Sequence, residues 1–323
     1  MHDRQAWDLR KQRAARLSVA SNSVLVMLKL AVGLWLGSVA ILSEAVHSGI
    51  DLVAAVVAWF AVRASGRPPD PEHQFGHGKY EDLSGLFEGA LILVAAGLII
   101  FEAVEKLLSG GDGLAFEAIG AGIAVMGLSS VVNWYVSGHL MRVAKATESI
   151  ALESDAWHLR TDVFTSLGVL VGLVAIRLTG IVALDAVVAI GVAFLICRAA
   201  WDLCRRAGAS LIDERLPDEE ERRIRTIIAE HGEHVAEFHA LRTRRSGPNR
   251  FVDLHLCVAR SLTVEEAHGL ADRLKSEIRQ ALPRCSVVIQ IEPCDASCDA
   301  CGSFCTLRGE PGSDQGSKVP DAR

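Results

Sequence analysis

The 323-residue sequence has no zinc-finger spacing, no RNP sequence, no heptad zipper and no strongly basic stretch; 33 Lys and Arg stand against 39 Asp and Glu, for a formal net charge of −6. Nucleic acid is thereby excluded as a partner. The H-E-x-x-H step of a catalytic zinc helix is also missing, which argues against a membrane metalloenzyme. Met1 to Arg16 is charged and lacks the short apolar core and small-residue cleavage site of a secretory signal, so translocation is expected to begin with the first membrane span. No strong internal repeat is visible. The eight cysteines do not form a secreted disulfide framework: Cys197 and Cys204 end an apolar stretch, Cys257 and Cys285 lie in a more polar part, and Cys294, Cys298, Cys301 and Cys305 crowd the C-terminus. Reduced thiols on a cytosolic domain are the simpler expectation.

What is present is apolar surface in long runs. Half the residues are hydrophobic (50%) while 22% are charged, and the mean hydropathy is +0.28. That balance suits a composite of membrane and soluble parts. Stretches long enough to cross a hydrocarbon layer of about 30 Å, at about 20 residues each, run over 16–37, 39–64, 82–108, 114–139, 150–178 and 182–204. They predict an all-α bundle of six transmembrane helices. Arg and Lys residues precede the first stretch, lie between the second and third (Arg63, Arg67, Lys79) and the fourth and fifth (Arg142, Lys145), and follow the sixth (Arg205, Arg206). The alternate connections carry none, so both termini are expected in the cytoplasm.

From Asp213 the pattern changes. Pro217 and four acids open a helix to about His231; strand-like runs at 235–245 and 250–259 flank Ser246-Gly247-Pro248-Asn249 as a hairpin turn. A helix with Ala267, Leu270, Leu274 and Ile278 on one face and a last strand over 286–291 complete an α-β-β-α-β order, an α+β, ferredoxin- or metallochaperone-like sandwich. The Gly/Ser/Asp/Pro-rich end reads as disordered by composition.

Two steps inside the apolar stretches carry chemistry. His47 and Asp51 in the second, and His158 and Asp162 in the fifth, each place an imidazole and a carboxylate at i and i+4, about 5–6 Å apart on one helix face. Facing each other, they offer two nitrogens and two carboxylates, a closed tetrahedral set suited to zinc and to holding an ion, not to activating a hydroxide. The same groups must lose protons to bind metal, so metal and protons compete there. A buried hydrogen-bonded pair is the plainer alternative. Between the second and third stretches, Asp70, His73 and His77 could close on a second ion, with glycines flanking His77.

Taken in order, the F-G-H-G-K-x-E run at Phe75–Glu81, the Asp of the second span, the H-x-x-x-D of the fifth and the α-β-β-α-β tail resemble the cation diffusion facilitator family of divalent-metal/proton antiporters. The likeness covers about residues 10–293. It implies a homodimer in the inner membrane, each protomer exporting a divalent ion from the cytoplasm in exchange for protons, with His47, Asp51, His158 and Asp162 as transport ligands. It further implies that Asp70, His73 and His77 form a second site, that His239, His255 and His268, with Glu292, form a cytoplasmic zinc site, and that Lys79 and Asp213 form a charge interlock where spans meet the soluble part. Gln290 departs from the family's His at its position and Glu292 from its Asp. Zinc-selective members pair His with Asp in both spans, and imidazole at position 47 favours zinc over harder ions, with cadmium as passenger and Fe2+ or Mn2+ as the alternative cargo. A membrane metal sensor is the reading from another class. The tail spacing Cys294-x3-Cys298-x2-Cys301-x3-Cys305 could bind zinc or cuprous ion and lies outside the family pattern. The expected layout is a cytoplasmic segment 1–15, a lipid-embedded transport domain 16–212, a metal-sensing and dimerising domain 213–293 and a Cys-containing tail 294–323.

Overall fold

The computed structural model describes residues 2–37, 39–108, 119–179, 183–231 and 235–294. The chain divides into two compact units: Met1–Glu214 with Ser246–Pro248, and Arg215–Arg245 with the residues from Asn249 onward. The tail cysteines 298, 301 and 305 lie outside the described residues, whereas Cys294 is buried where its N–H donates to the Val258 carbonyl at 2.9 Å.

The first unit holds six long helices: α1 (His2–Leu36), α2 (Val39–Ser65), α3 (Lys79–Leu108), α4 (Ile119–Thr147), α5 (Ile150–Thr179) and α6 (Ala183–Leu211). Four of them contain stretches long and apolar enough to cross a membrane, within α1, α2, α3 and α6, among the described residues. The first half of α5 is polar, with Glu153, Asp155, His158, Arg160 and Asp162 spaced along it. Several helices outrun the apolar runs that reveal them: α1 begins at His2 and α6 continues to Leu211. Hydropathy registers the thickness of hydrocarbon, whereas the i to i−4 hydrogen-bond ladder continues into water until a breaker appears.

The bundle is polar inside and apolar outside. Trp35, Val53, Phe60, Leu98, Phe101 and Phe194 are exposed, while Lys11, Lys29, Asp51, Glu81, Glu88, Asn133 and Asp155 are buried. In water such a surface would be a severe aggregation liability; against lipid it costs nothing. Small residues let the helices approach: Ala14, Ala15, Ala144, Ala151 and Ala156 join Leu140 and Leu152 in one cluster of α1, α2, α4 and α5. Between α3 and α6 the approach is closer still, for a Cβ on Gly89 would lie 2.6 Å from the Cys204 Sγ. At the end of the bundle where α3 starts, the buried Glu81 accepts from Lys11 Nζ at 2.6 Å and also from Ser65 and Ser149 hydroxyls, tying α1, α2 and α5's approach to α3.

The second unit runs α7 (Asp218–Glu230), β1 (Val235–Ser246), β2 (Asn249–Val258), α8 (Val264–Ala281), β3 (Cys285–Pro293), with sheet order β1-β2-β3 and β2 parallel to β3. The two-residue turn Gly247-Pro248 has φ +55 at glycine, and proline's fixed negative φ follows, the sign pattern of a type II′ hairpin turn. Helix α8 opens on a capping box: Thr263 Oγ1 accepts from the Glu266 N–H at 3.2 Å, and Glu266 accepts from the Thr263 N–H at 2.8 Å. Ile224, Ile228, Leu270, Leu274 and Ile278 of the helices meet Val252, Leu254, Leu256, Cys285 and Val287 of the sheet in one core. Both helices therefore cover one sheet face, and the alternate strand residues, His255, Cys257, Gln290 and Glu292, stand on the other.

Candidate metal centre

Helix periodicity stacks Glu44, His47, Ser48 and Asp51 along one side of α2. A cavity of about 140 Å³ runs beside them, closed by Asn22, Leu25 and Lys29 of α1, Met126, Ser129 and Asn133 of α4, and Asp162, Thr165 and Ser166 of α5. One ligand atom each from His47, Asp51 and Asp162 lies within 4.8 Å of the others. His158 reaches the same group from α5: its Nε2 is 2.9 Å from Asp51 Oδ1, so that a ring N–H donates to the carboxylate. Asn133 Nδ2 donates to Asp162 Oδ2 at 3.3 Å and fixes that carboxylate from a fourth helix. All four residues of the two H-x-x-x-D steps thus converge, three as a ready cluster and His158 through its bond to Asp51. The set is one nitrogen and two oxygens with a second nitrogen a hydrogen bond away, suited to a borderline divalent ion.

The loop before α3 gathers Asp70, His73 and His77, with one ligand atom of each within 4.8 Å of the others. Asp70 Oδ1 accepts from the backbone N–H groups of Glu72 at 3.1 Å and His73 at 2.6 Å, an Asx-type turn that presets the loop. The His73 N–H first, then the His73 ring and the charge of His77, hold the exposed Asp70 carboxyl below its ordinary range against the opposing effect of desolvation. His77 Nε2 lies 3.2 Å from Asp70 Oδ2, and the His73 and His77 rings are 4.5 Å apart. Gly76 supplies the φ of +83 that turns the backbone between the two histidines.

Lys79 Nζ sits 3.0 Å from Asp213 Oδ1 and donates to the Leu211 carbonyl at 3.2 Å, with both side chains partly exposed. Asp213 holds φ +60 directly after α6, a left-handed turn that carries the chain off the helix.

On the open face of the small sheet, His239 Nε2 is 3.2 Å and His255 Nδ1 2.8 Å from the two oxygens of Glu292. The third donor of the cluster is Cys257, whose Sγ is 3.7 Å from His239 Nδ1. Register explains the grouping: Cys257 is the partner of Glu292 across the β2–β3 ladder, two residues from His255 on the same face. His239 reaches it because β1 slips by one residue. Phe238 and Leu241 both pack on the core although three apart, and Ala240 between them has φ +50, the marks of a bulge that re-aims the neighbouring side chain. His268 does not join this group within one chain. It lies on α8 beside the buried Ala267, turned away from the core, and its Nε2 pairs with Asp272 Oδ2 one turn on at 3.3 Å. Gln290 is exposed and donates to Glu292 Oε1 at 3.0 Å, so it orients a ligand without being one. Sequence reasoning passed over Cys257, yet the alternation of β2 had already placed it beside His255.

The cation efflux transmembrane domain matches residues 15–212, and the cation efflux cytoplasmic domain matches residues 216–294. The chain belongs to the cation diffusion facilitator family. Among curated relatives of this family, an uncharacterized transporter of Synechocystis sp. is 36% identical over 279 residues, covering 86% of this chain and 89% of the relative. The cation-efflux pump FieF of Pectobacterium atrosepticum is 34% identical over 283 residues, at 88% and 93% coverage. A solved structure of the candidate zinc transporter CzrB shares 44% identity over 24% of this chain and 96% of that one, with a TM-score of 0.23. The protein is accordingly a cation efflux transporter with transmembrane helices and a small cytoplasmic sheet domain. Lys29, Glu44 and Asn133 around the membrane cluster were not singled out by spacing, because their relevance depends on which helices pack together.

Proposed function

We propose that this chain exports a divalent cation, zinc foremost and cadmium with it, from the cytoplasm across the inner membrane in exchange for protons. The reading is carried by the convergence of His47, Asp51, His158 and Asp162 in a bundle clad in apolar side chains. All six long helices span the bilayer with both termini in the cytoplasm, and two protomers associate through the cytoplasmic domain. An imidazole in the cluster favours zinc over the harder manganese, and the full complement of protein donors leaves no open position for hydrolytic chemistry, so the chain is a carrier and not an enzyme.

Exchange follows from the Asp51–His158 bond. Without an ion, a proton stands between Nε2 and Oδ1 at 2.9 Å; an ion taking that place must displace it. Loading therefore releases a proton and unloading recovers one, and helix rearrangement delivers the site to alternate sides. Asp70, His73 and His77 serve as a second site. His239, His255, Cys257 and Glu292 bind cytoplasmic metal and bias the membrane unit, and the Lys79–Asp213 pair secures the end of α6. Zinc uptake into proteoliposomes under an imposed proton gradient tests the reading. Flux abolished by Asp51→Ala and by Asp162→Ala is expected; zinc binding without flux in the unaltered protein would make the chain a sensor.

A further inference from the structure

One buried cation borders the membrane cluster. Lys29 of α1 is 4% exposed, and its Nζ donates to Ser48 Oγ at 2.7 Å and to Glu44 Oε1 at 3.0 Å. Glu44 stands one turn before His47, and both line the same cavity as Asp51 and Asp162. A long ammonium side chain is rarely drawn wholly inside a bundle unless it answers a buried charge. Here it answers Glu44, whose side chain is 35% exposed and lines the cavity, and which none of the four cluster residues contacts in the bonds described above.

Charge counting gives this pair a role. The charged groups lining the cavity are Glu44, Asp51 and Asp162 against Lys29, so that with neutral imidazoles they sum to two negative charges. A divalent ion neutralises that sum. With Lys29 removed the sum is three negative charges, and a divalent ion would leave one uncompensated carboxylate to hold it. In a cavity of low effective dielectric such a difference is felt strongly. The site would then bind more tightly and let go less readily.

We propose that Lys29 is a tethered counter-cation that sets the release of the transported ion: it occupies Glu44 as the ion departs and keeps that carboxylate from becoming a trap. The inference rests on the transport reading above. Lys29 is a positioning residue here, acting through Glu44, and its signature is a change of opposite sign in affinity and in turnover.

The test measures zinc affinity of the full-length protein in detergent by competition with a chelating dye, and zinc flux in proteoliposomes. Lys29→Met should bind zinc about tenfold more tightly while maximal flux falls about tenfold. Lys29→Arg should retain both values. The double variant Lys29→Met/Glu44→Gln, with the sum returned to two negative charges, should bring affinity back near that of the unaltered protein. It carries no orphaned charge, and so it decides the matter if Lys29→Met does not fold. Loss of affinity and flux together in Lys29→Met, or loss of binding in the double variant, would overturn the inference while leaving transport intact. An unaltered protein that moves no zinc would instead remove the transport reading and this inference with it.

Discussion

His158 Nε2 on α5 donates to Asp51 Oδ1 on α2 at 2.9 Å, across 107 residues of sequence. Each residue belongs to a different H-x-x-x-D step, so the bond joins the two steps; on the proposed transport reading, it is where an ion and a proton compete. Zinc binding at neutral pH should therefore expel protons into a weakly buffered solution. His158→Gln should release fewer and bind zinc at least about tenfold less tightly, as loss of a ligand or its orienting partner commonly does; pH-stat titration reads both quantities.

Replacing His47 by Asp exchanges a nitrogen donor for oxygen in a cluster that already holds two carboxylates. The zinc-to-manganese and zinc-to-iron flux ratios should both fall, because harder donors suit the harder ions. Unchanged ratios in paired proteoliposome assays would count against selection at position 47.

The cytoplasmic cluster differs from an all-imidazole and carboxylate site by its thiol. In a full-length variant with Cys294, Cys298, Cys301 and Cys305 replaced by Ser, which silences the tail thiols, added cadmium should produce thiolate-to-metal charge-transfer absorption, and a further Cys257→Ser should remove it while leaving membrane flux measurable. His268→Ala should leave that absorption in place, since its imidazole pairs with Asp272. Loss of the signal in His268→Ala would mean that a second protomer completes the site.

Acid should loosen the sheet domain through Glu220. Burial would raise the carboxyl's pKa, but bonds from Arg250 Nε at 2.6 Å and Nη2 at 2.9 Å, with Arg245 and Arg223 nearby, outweigh it and hold it below the ordinary value of 4.5. A depressed folded-state value means stability present above pH 4.5 and lost as pH falls through the folded value. Glu220→Gln should cost about 1–3 kcal/mol at neutral pH, as for a lost charged hydrogen bond, and should flatten the acid limb. Hydrogen exchange of β2 amides against pH measures both.

Much of the fold was legible locally. The α-β-β-α-β order, the Gly247-Pro248 turn and the apolar face of α8 follow from period, turn chemistry and burial, each set by neighbours within a few residues. The capping box at Thr263 went unread, although its T-x-x-E spacing is a local signal. The two H-x-x-x-D steps were readable because a helix brings i and i+4 to one side whatever surrounds it.

The sequence by itself determined the donors: imidazole and carboxylate on α2 and α5, Asp70, His73 and His77 in one loop, and thiols too scattered for a disulfide frame. Only the tertiary structure decided what those donors face. Lys29 meets Glu44, Asn133 meets Asp162, and Cys257 meets His239 while His268 is turned aside. Each of these meetings joins separate elements. Their partners depend on helix packing, strand register and the slip at Ala240, none of which has a local period to announce it.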